Sequence, residues 1–230
     1  MEKMHGYDFA RLPDWAGRIL RPSALGLVAV FAVTAYAGAN IVAFERLEGR
    51  LAGEEVVSSE GAGQPSVSGA VSNWKNTPGV ATRARSLSLD IVLAETPGDR
   101  AAIDNSLREL AEGSPTSVAA WQALVAFREI SGAPKESVLA AFRMSALTGS
   151  HEGYFMRLRA TFGLEHWSEL PEPARQIAIR DVLKTVGVVE GGDHYRAILR
   201  NKTEAERKEI RAALTASGLP SQHVLQALAL

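Results

Sequence analysis

The chain contains no cysteine. That absence excludes thiol catalysis, disulfide cross-links and cysteine-ligated zinc or iron–sulfur sites, and it fits any redox compartment. Aromatic residues are scarce, 7% of 230 positions. Alanine and leucine stand where strands would carry β-branched and aromatic side chains, so propensity favours helices. Neither charge is in excess: the formal net charge is -1. A nucleic-acid ligand usually calls for a basic protein or a basic face, so none is expected. No apolar–polar alternation is long enough to mark a strand.

Motifs that carry chemistry are missing as well. The histidines are His5, His151, His166, His194 and His223, and no two stand at metal-ligand spacing on one helix face. There is no HExxH, phosphate loop, dinucleotide fingerprint or nucleophile elbow. The most reactive-looking stretch is GGDHY, Gly191 to Tyr195. It reads as a glycine turn with Asp193 capping the next helix. No metal, no cofactor and no catalytic residue are therefore expected, and the chain reads as a non-enzyme.

What is present begins with an apolar run. From Ala24 to Phe44 the sequence is ALGLVAVFAVTAYAGANIVAF, uncharged and interrupted only by Thr34 and Asn40. At helical rise this length crosses a hydrocarbon core of about 30 Å. A cleaved signal peptide is the competing reading, because Ala35-Tyr36-Ala37 and Ala37-Gly38-Ala39 have the small-x-small form of a cleavage site. The long preceding segment and the return of apolar residues at Ile41 to Phe44 favour an uncleaved anchor. Lys3, Arg11, Arg18 and Arg21 precede the run, which sets residues 1–23 in the cytoplasm and the remainder outside a bacterial inner membrane.

Residues 45–77 then read as a juxtamembrane helix and a flexible linker, since Val56 to Asn73 is rich in serine and glycine. From Pro78 onward, residues 78–230 form one helical domain. Apolar residues recur at helical spacing in successive segments, and proline or glycine ends each. Ser114 or Thr116 is expected to cap the helix that carries Val118, Trp121, Leu124 and Val125. Thr203 with Glu206 three residues on has the form of a capping box. The fold class is all-α.

Pro78, Pro115 and Ser150 each precede a helical hairpin, at intervals in the mid-thirties, a period that signals stacked hairpins. Pro115, Trp121, Leu124, Phe142, Ser145, Ala146 and the turn at Gly149-Ser150 resemble a tetratricopeptide repeat, with its six-residue step from proline to aromatic. Residues 78–113 and 151–186 resemble more divergent copies. The resemblance implies an array of antiparallel hairpins that presents a concave face to a protein. Val125, Ser150 and one extra residue between Trp121 and Phe142 depart from the family pattern.

Arg143, Arg157 and Arg159 flank the turn between the second and third copies, with Tyr154 and Phe155 between them. Arginine mixed with aromatics suits an acidic peptide tail or a sugar-phosphate chain, so these five residues form the expected partner-binding surface. Arg200, Lys202, Arg207, Lys208 and Arg211 alternate with Glu204, Glu206 and Glu209 and read as a face of local ion pairs. Anchor, linker and hairpin period together describe a membrane-tethered adaptor that binds a membrane or periplasmic protein. The run FRMSALTGSHEGYFMRLRATFGLEHW also resembles small membrane proteins that accompany bacterial cell-surface polysaccharide assembly. An anchored periplasmic holdase for exported proteins is the alternative, and an enzyme acting on a lipid-linked or sugar substrate a more distant one.

Overall fold

The computed structural model describes residues 32–46, 67–188, 191–218 and 221–230, and every regular element among them is a helix. The helices are α1 (residues 32–46), α2 (Val67–Ser72), α3 (Ala81–Glu95), α4 (Arg100–Gly113), α5 (Val118–Ser131), α6 (Lys135–Thr148), α7 (Gly153–Glu165), α8 (Glu172–Thr185), α9 (Gly191–Arg200), α10 (Glu204–Ala216) and α11 (Ser221–Leu228). The chain divides into two units, Met1–Ser88 and Leu89–Leu230, with the division inside α3.

In the first unit α1 is mostly exposed and buries one side chain near its C-terminal end. Val33, Tyr36 and Val42 are exposed, whereas Phe44 is fully buried. Phe44 meets Trp74 edge-on at 5.8 Å between ring centroids, and the Arg83 guanidinium lies 5.9 Å from the Phe44 centroid. Arg83 also pairs with Glu45 at 3.4 Å, and Asn40 Nδ2 donates to the Pro78 carbonyl. Within the stretch read as linker, Val67–Ser72 is helical and Val71 is fully buried; that apolar anchor outweighs the serine–glycine composition. Among the described residues no helix is long and apolar enough to cross a membrane. Residues 24–31 of the expected span, and residues 1–23 before it, lie outside the described residues.

In the second unit side-chain caps fix the starts of α4, α5 and α10. Asp99 caps α4 by accepting from the amides of Ala101 and Ala102. The α5 cap is Ser117, which accepts from Ala120 N. Neither Ser114 nor Thr116 fills that role, because the turn after Gly113 delays the helix start by one position beyond Thr116. Gly132 ends α5 in the left-handed region at φ 69°, where a side chain would be strained. Thr203 and Glu206 complete the expected capping box at α10. Gly191 and Gly192 differ from expectation: both belong to α9, and Asp193 lies in its first turn.

Two helical hairpins stack, α5 with α6 and α7 with α8, and α4 packs on α5 ahead of them. Between the hairpins α5 touches α7 and α6 touches α8. α9 then follows on α7 and α10 on α8, with α11 against both α9 and α10. The proline–tryptophan step has a direct cause here: Trp121 Nε1 donates to the Pro115 carbonyl at 3.0 Å, tying the turn to the first two turns of α5. One apolar cluster joins Ile103 and Leu107 of α4 to Leu124, Phe142 and Phe162. A second joins Leu164 and Trp167 to Val182, Tyr195, Ile210 and Leu228. Each side chain of this size withdrawn from water contributes about 1.5–3 kcal/mol before entropy is counted. Close approach of α7 and α8 depends on Gly163, where an added Cβ would lie 2.1 Å from Ala178 Cβ.

A polar chain threads this apolar interior. Ser145 Oγ on α6 donates to Gln122 Oε1 on α5 at 3.0 Å. Arg159 on α7 donates to the Ser145 carbonyl at 3.0 Å, the Gly149 carbonyl at 2.8 Å and Asp181 Oδ2 on α8 at 2.6 Å. Thr185 Oγ1 donates to the Asp181 carbonyl and meets the Tyr195 hydroxyl on α9 at 2.6 Å. Arg159 and Asp181 are both 0% exposed, so the charges are removed from water and held by partners on three helices.

Candidate partner-binding groove

Where α5 and α7 run side by side, their outward faces meet in a groove of about 370 Å³. On α5 the core stripe is Val118, Gln122 and Val125. One step round the helix comes Ala119, Ala123 and Ala126, all exposed, which form a shallow floor. From α7 come Tyr154, Phe155, Leu158 and Phe162, a taller apolar wall. Small side chains on one helix and large ones on the other leave the groove open, since Ala119, Ala123 and Ala126 are too short to fill it.

The ends of the groove differ. At one end Tyr154 and Phe155 pack edge-to-face with centroids 5.2 Å apart. At the other lie Glu129 and Glu165, the only charged residues in the lining. Glu129 is in the last turn of α5 and Glu165 is the last residue of α7. A helix C-terminus carries partial negative charge, so two carboxylates there add to two dipole ends of the same sign. Glu129 Oε1 meets His166 Nε2 at 2.6 Å. The Glu165 carboxylate has no protein partner among the described residues, although the Lys202 ammonium donates to its backbone carbonyl. A smaller depression of about 170 Å³ continues past His166, sharing Glu129 and Phe162 with the groove and ending near Lys135 and Glu169.

The structure separates the five residues of the expected surface. Tyr154, 60% exposed, and Phe155 do line the groove. Arg143 is exposed on α6, which contributes nothing to the lining. Arg157 is half-buried, and its charge reaches the Tyr195 hydroxyl. Arg159 is not on a surface at all: it is fully buried in the ion pair with Asp181. The groove thus presents carboxylates where arginines were expected. Glu129 and Glu165 went unremarked in the sequence, although they are separated by one hairpin interval, the signal that places both at the same end.

The remaining titratable groups take structural positions. In GGDHY, Asp193 pairs with Arg196, His194 Nε2 meets Thr161 Oγ1 at 2.8 Å, and Tyr195 is buried against Thr185. These three side chains diverge to separate partners and form no reactive group. Burial raises the Tyr195 pKa above its ordinary 10.0, against the lowering effect of the Thr185 hydrogen bond and Arg157. Glu206 is held below its ordinary 4.5, first by the Thr203 amide and then by the Thr203 hydroxyl, Lys202 and Ser168, which outweigh its burial. In the basic cluster, Arg207 pairs with Glu204 at 2.8 Å and Lys202 with Glu206 at 3.6 Å, while Glu209 turns to Arg175 and Trp167. Ligand atoms of Glu129, Glu165 and His166 lie within 4.8 Å of one another. Two of those atoms already bond to each other, a pairing that bridges α5 to the end of α7 without an ion.

No protein-family model, curated protein or solved structure matches this chain.

Proposed function

We propose that the chain is a non-catalytic, membrane-tethered adaptor whose stacked, tetratricopeptide-like hairpins hold a partner protein at the bacterial inner membrane, in the assembly or export of cell-surface polysaccharide. In this reading residues 24–44 anchor the chain, the N-terminal segment is cytoplasmic and the helical domain is periplasmic. The observation that carries it is the α5–α7 groove. A solvent-open channel with an alanine floor and an aromatic wall leaves apolar surface uncovered on a folded domain, which supports reading it as a contact site for another macromolecule. The exposure of Val33, Tyr36 and Val42 on α1 supports the anchor, because these side chains are apolar and no charged residue stands between them and Glu45.

The test is affinity purification of the full-length chain in mild detergent beside an Ala123→Trp variant, with mass spectrometry. Ala123 is exposed on the groove floor, so the indole fills the channel without entering the core. One or two membrane or periplasmic proteins recovered in fixed proportion, and lost from the variant, are expected. A broad range of exported proteins recovered equally by both forms would refute the adaptor and favour a holdase.

A further inference from the structure

We infer that the segment held in the groove is an apolar stretch of a partner protein anchored by one basic side chain, lysine or arginine, whose cation sits between Glu129 and Glu165. This rests on the groove being the partner site, and it adds the sign of the charge that the site reads. Three features converge on a cation. Both charged lining residues are carboxylates, and they share one end of the channel. Each lies in the final turn of its helix, the end that carries partial negative charge. The Glu165 carboxylate is unsatisfied by protein among the described residues, whereas the nearby lysines are engaged: Lys202 with Glu206 and the Glu165 carbonyl, and Lys135 with Glu169 at 3.8 Å. A guanidinium or ammonium would complete that end, since charge-assisted hydrogen bonds to a carboxylate are stronger than neutral ones.

The rest of the channel sets what lies beside the cation. The alanine floor admits side chains lying against Phe155, Leu158 and Phe162, so apolar residues must flank the basic one. An acidic tail, the ligand that an arginine-lined surface would have taken, meets two carboxylates and is rejected by like charge.

The experiment pans a displayed library of random short peptides against the full-length chain in detergent micelles, with Ala123→Trp and the Glu129→Gln/Glu165→Gln double variant panned in parallel. Peptides enriched on the wild type should carry lysine or arginine at a fixed distance from apolar residues. Enrichment should vanish on Ala123→Trp and lose its basic preference on the double variant. A synthetic copy of an enriched peptide should bind about tenfold more weakly when its basic residue is replaced by norleucine, and on the double variant the same replacement should cost almost nothing. Enrichment blocked by Ala123→Trp but indifferent to charge, or acidic, overturns the cation anchor and leaves the groove as the partner site. No enrichment, or enrichment that Ala123→Trp does not touch, overturns the groove reading along with it.

Discussion

Replacing Arg159 by methionine should be among the most damaging single changes in the helical array. The side chain is 0% exposed and its guanidinium serves Asp181, the Ser145 carbonyl and the Gly149 carbonyl at once. Methionine keeps most of the volume, so the loss is electrostatic and not a cavity. Asp181, also 0% exposed, would retain only Arg180, whose Nε donates to Oδ1 at 3.0 Å. Breaking a buried pair by removing one partner costs about 3–5 kcal/mol. With the Ser145 and Gly149 carbonyls each losing one of its donors as well, we expect a loss within that range. For a chain of this size about 1 kcal/mol moves Tm by roughly 2–4 °C, so the midpoint should fall by roughly 6–20 °C. Thermal melts of the full chain in detergent, followed by helical circular dichroism, measure that fall, and guanidinium unfolding measures the free-energy loss. Arg159→Lys should restore little, since one ammonium cannot reach three acceptors in that geometry. The double variant Arg159→Met/Asp181→Leu should be less unstable than the sum of its single changes. A loss under about 1 kcal/mol for Arg159→Met, or strict additivity in the cycle, would show that the pair does not hold the hairpins together.

Two further outcomes follow from the packing and from the capping box. Gly163→Ala would gain helix propensity of about 1 kcal/mol, but its Cβ would fall 2.1 Å from Ala178 Cβ; overpacking dominates, and a net loss of about 1–3 kcal/mol is expected in denaturant unfolding. Gly163→Ala combined with Ala178→Gly should recover part of it, and a Gly163→Ala chain as stable as wild type would mean α7 and α8 can move apart freely. For Glu206 the folded pKa lies below 4.5, so its contribution is full above about pH 4.5 and is lost as pH falls through the folded value. Thermal melts across an acid series should show wild type losing its advantage over Glu206→Gln only on the acid side of that point; a difference that persists unchanged to the lowest pH would contradict the assignment.

Periodicity made the helices legible, because an apolar stripe at every third or fourth position is a property of the chain alone. The Thr203–Glu206 cap and the Pro115–Trp121 step were legible for the same reason: both are local, closed within one turn or two. Arg159 was not. Charged residues are rarely buried, and its partner Asp181 belongs to the next helix of the hairpin, so only stacking brings the two together. Ser117 was overlooked for a smaller reason, since three hydroxyl residues lie within four positions and the turn decides which one reaches the α5 amides. The groove required both kinds of information. Its alanines are unremarkable as composition, and they become a floor only when α7 is laid beside α5 with larger side chains facing them.

Arrays of like hairpins are usually treated as linear chains of nearest-neighbour couplings, in which stability is a sum of units and interfaces and a unit can be added or removed at modest cost. The line of hydrogen bonds from Gln122 through Ser145, Arg159, Asp181 and Thr185 to Tyr195 makes this array different. Its middle member satisfies the end of one hairpin and the interior of the next simultaneously. A cut between α6 and α7 would take the Arg159 donor from the Ser145 and Gly149 carbonyls, and a cut between α7 and α8 would part Asp181 from Arg159. The block from α5 to α9 is therefore not modular: its layers are not interchangeable, and duplication or exchange of a single hairpin would have to carry the whole line of polar side chains with it.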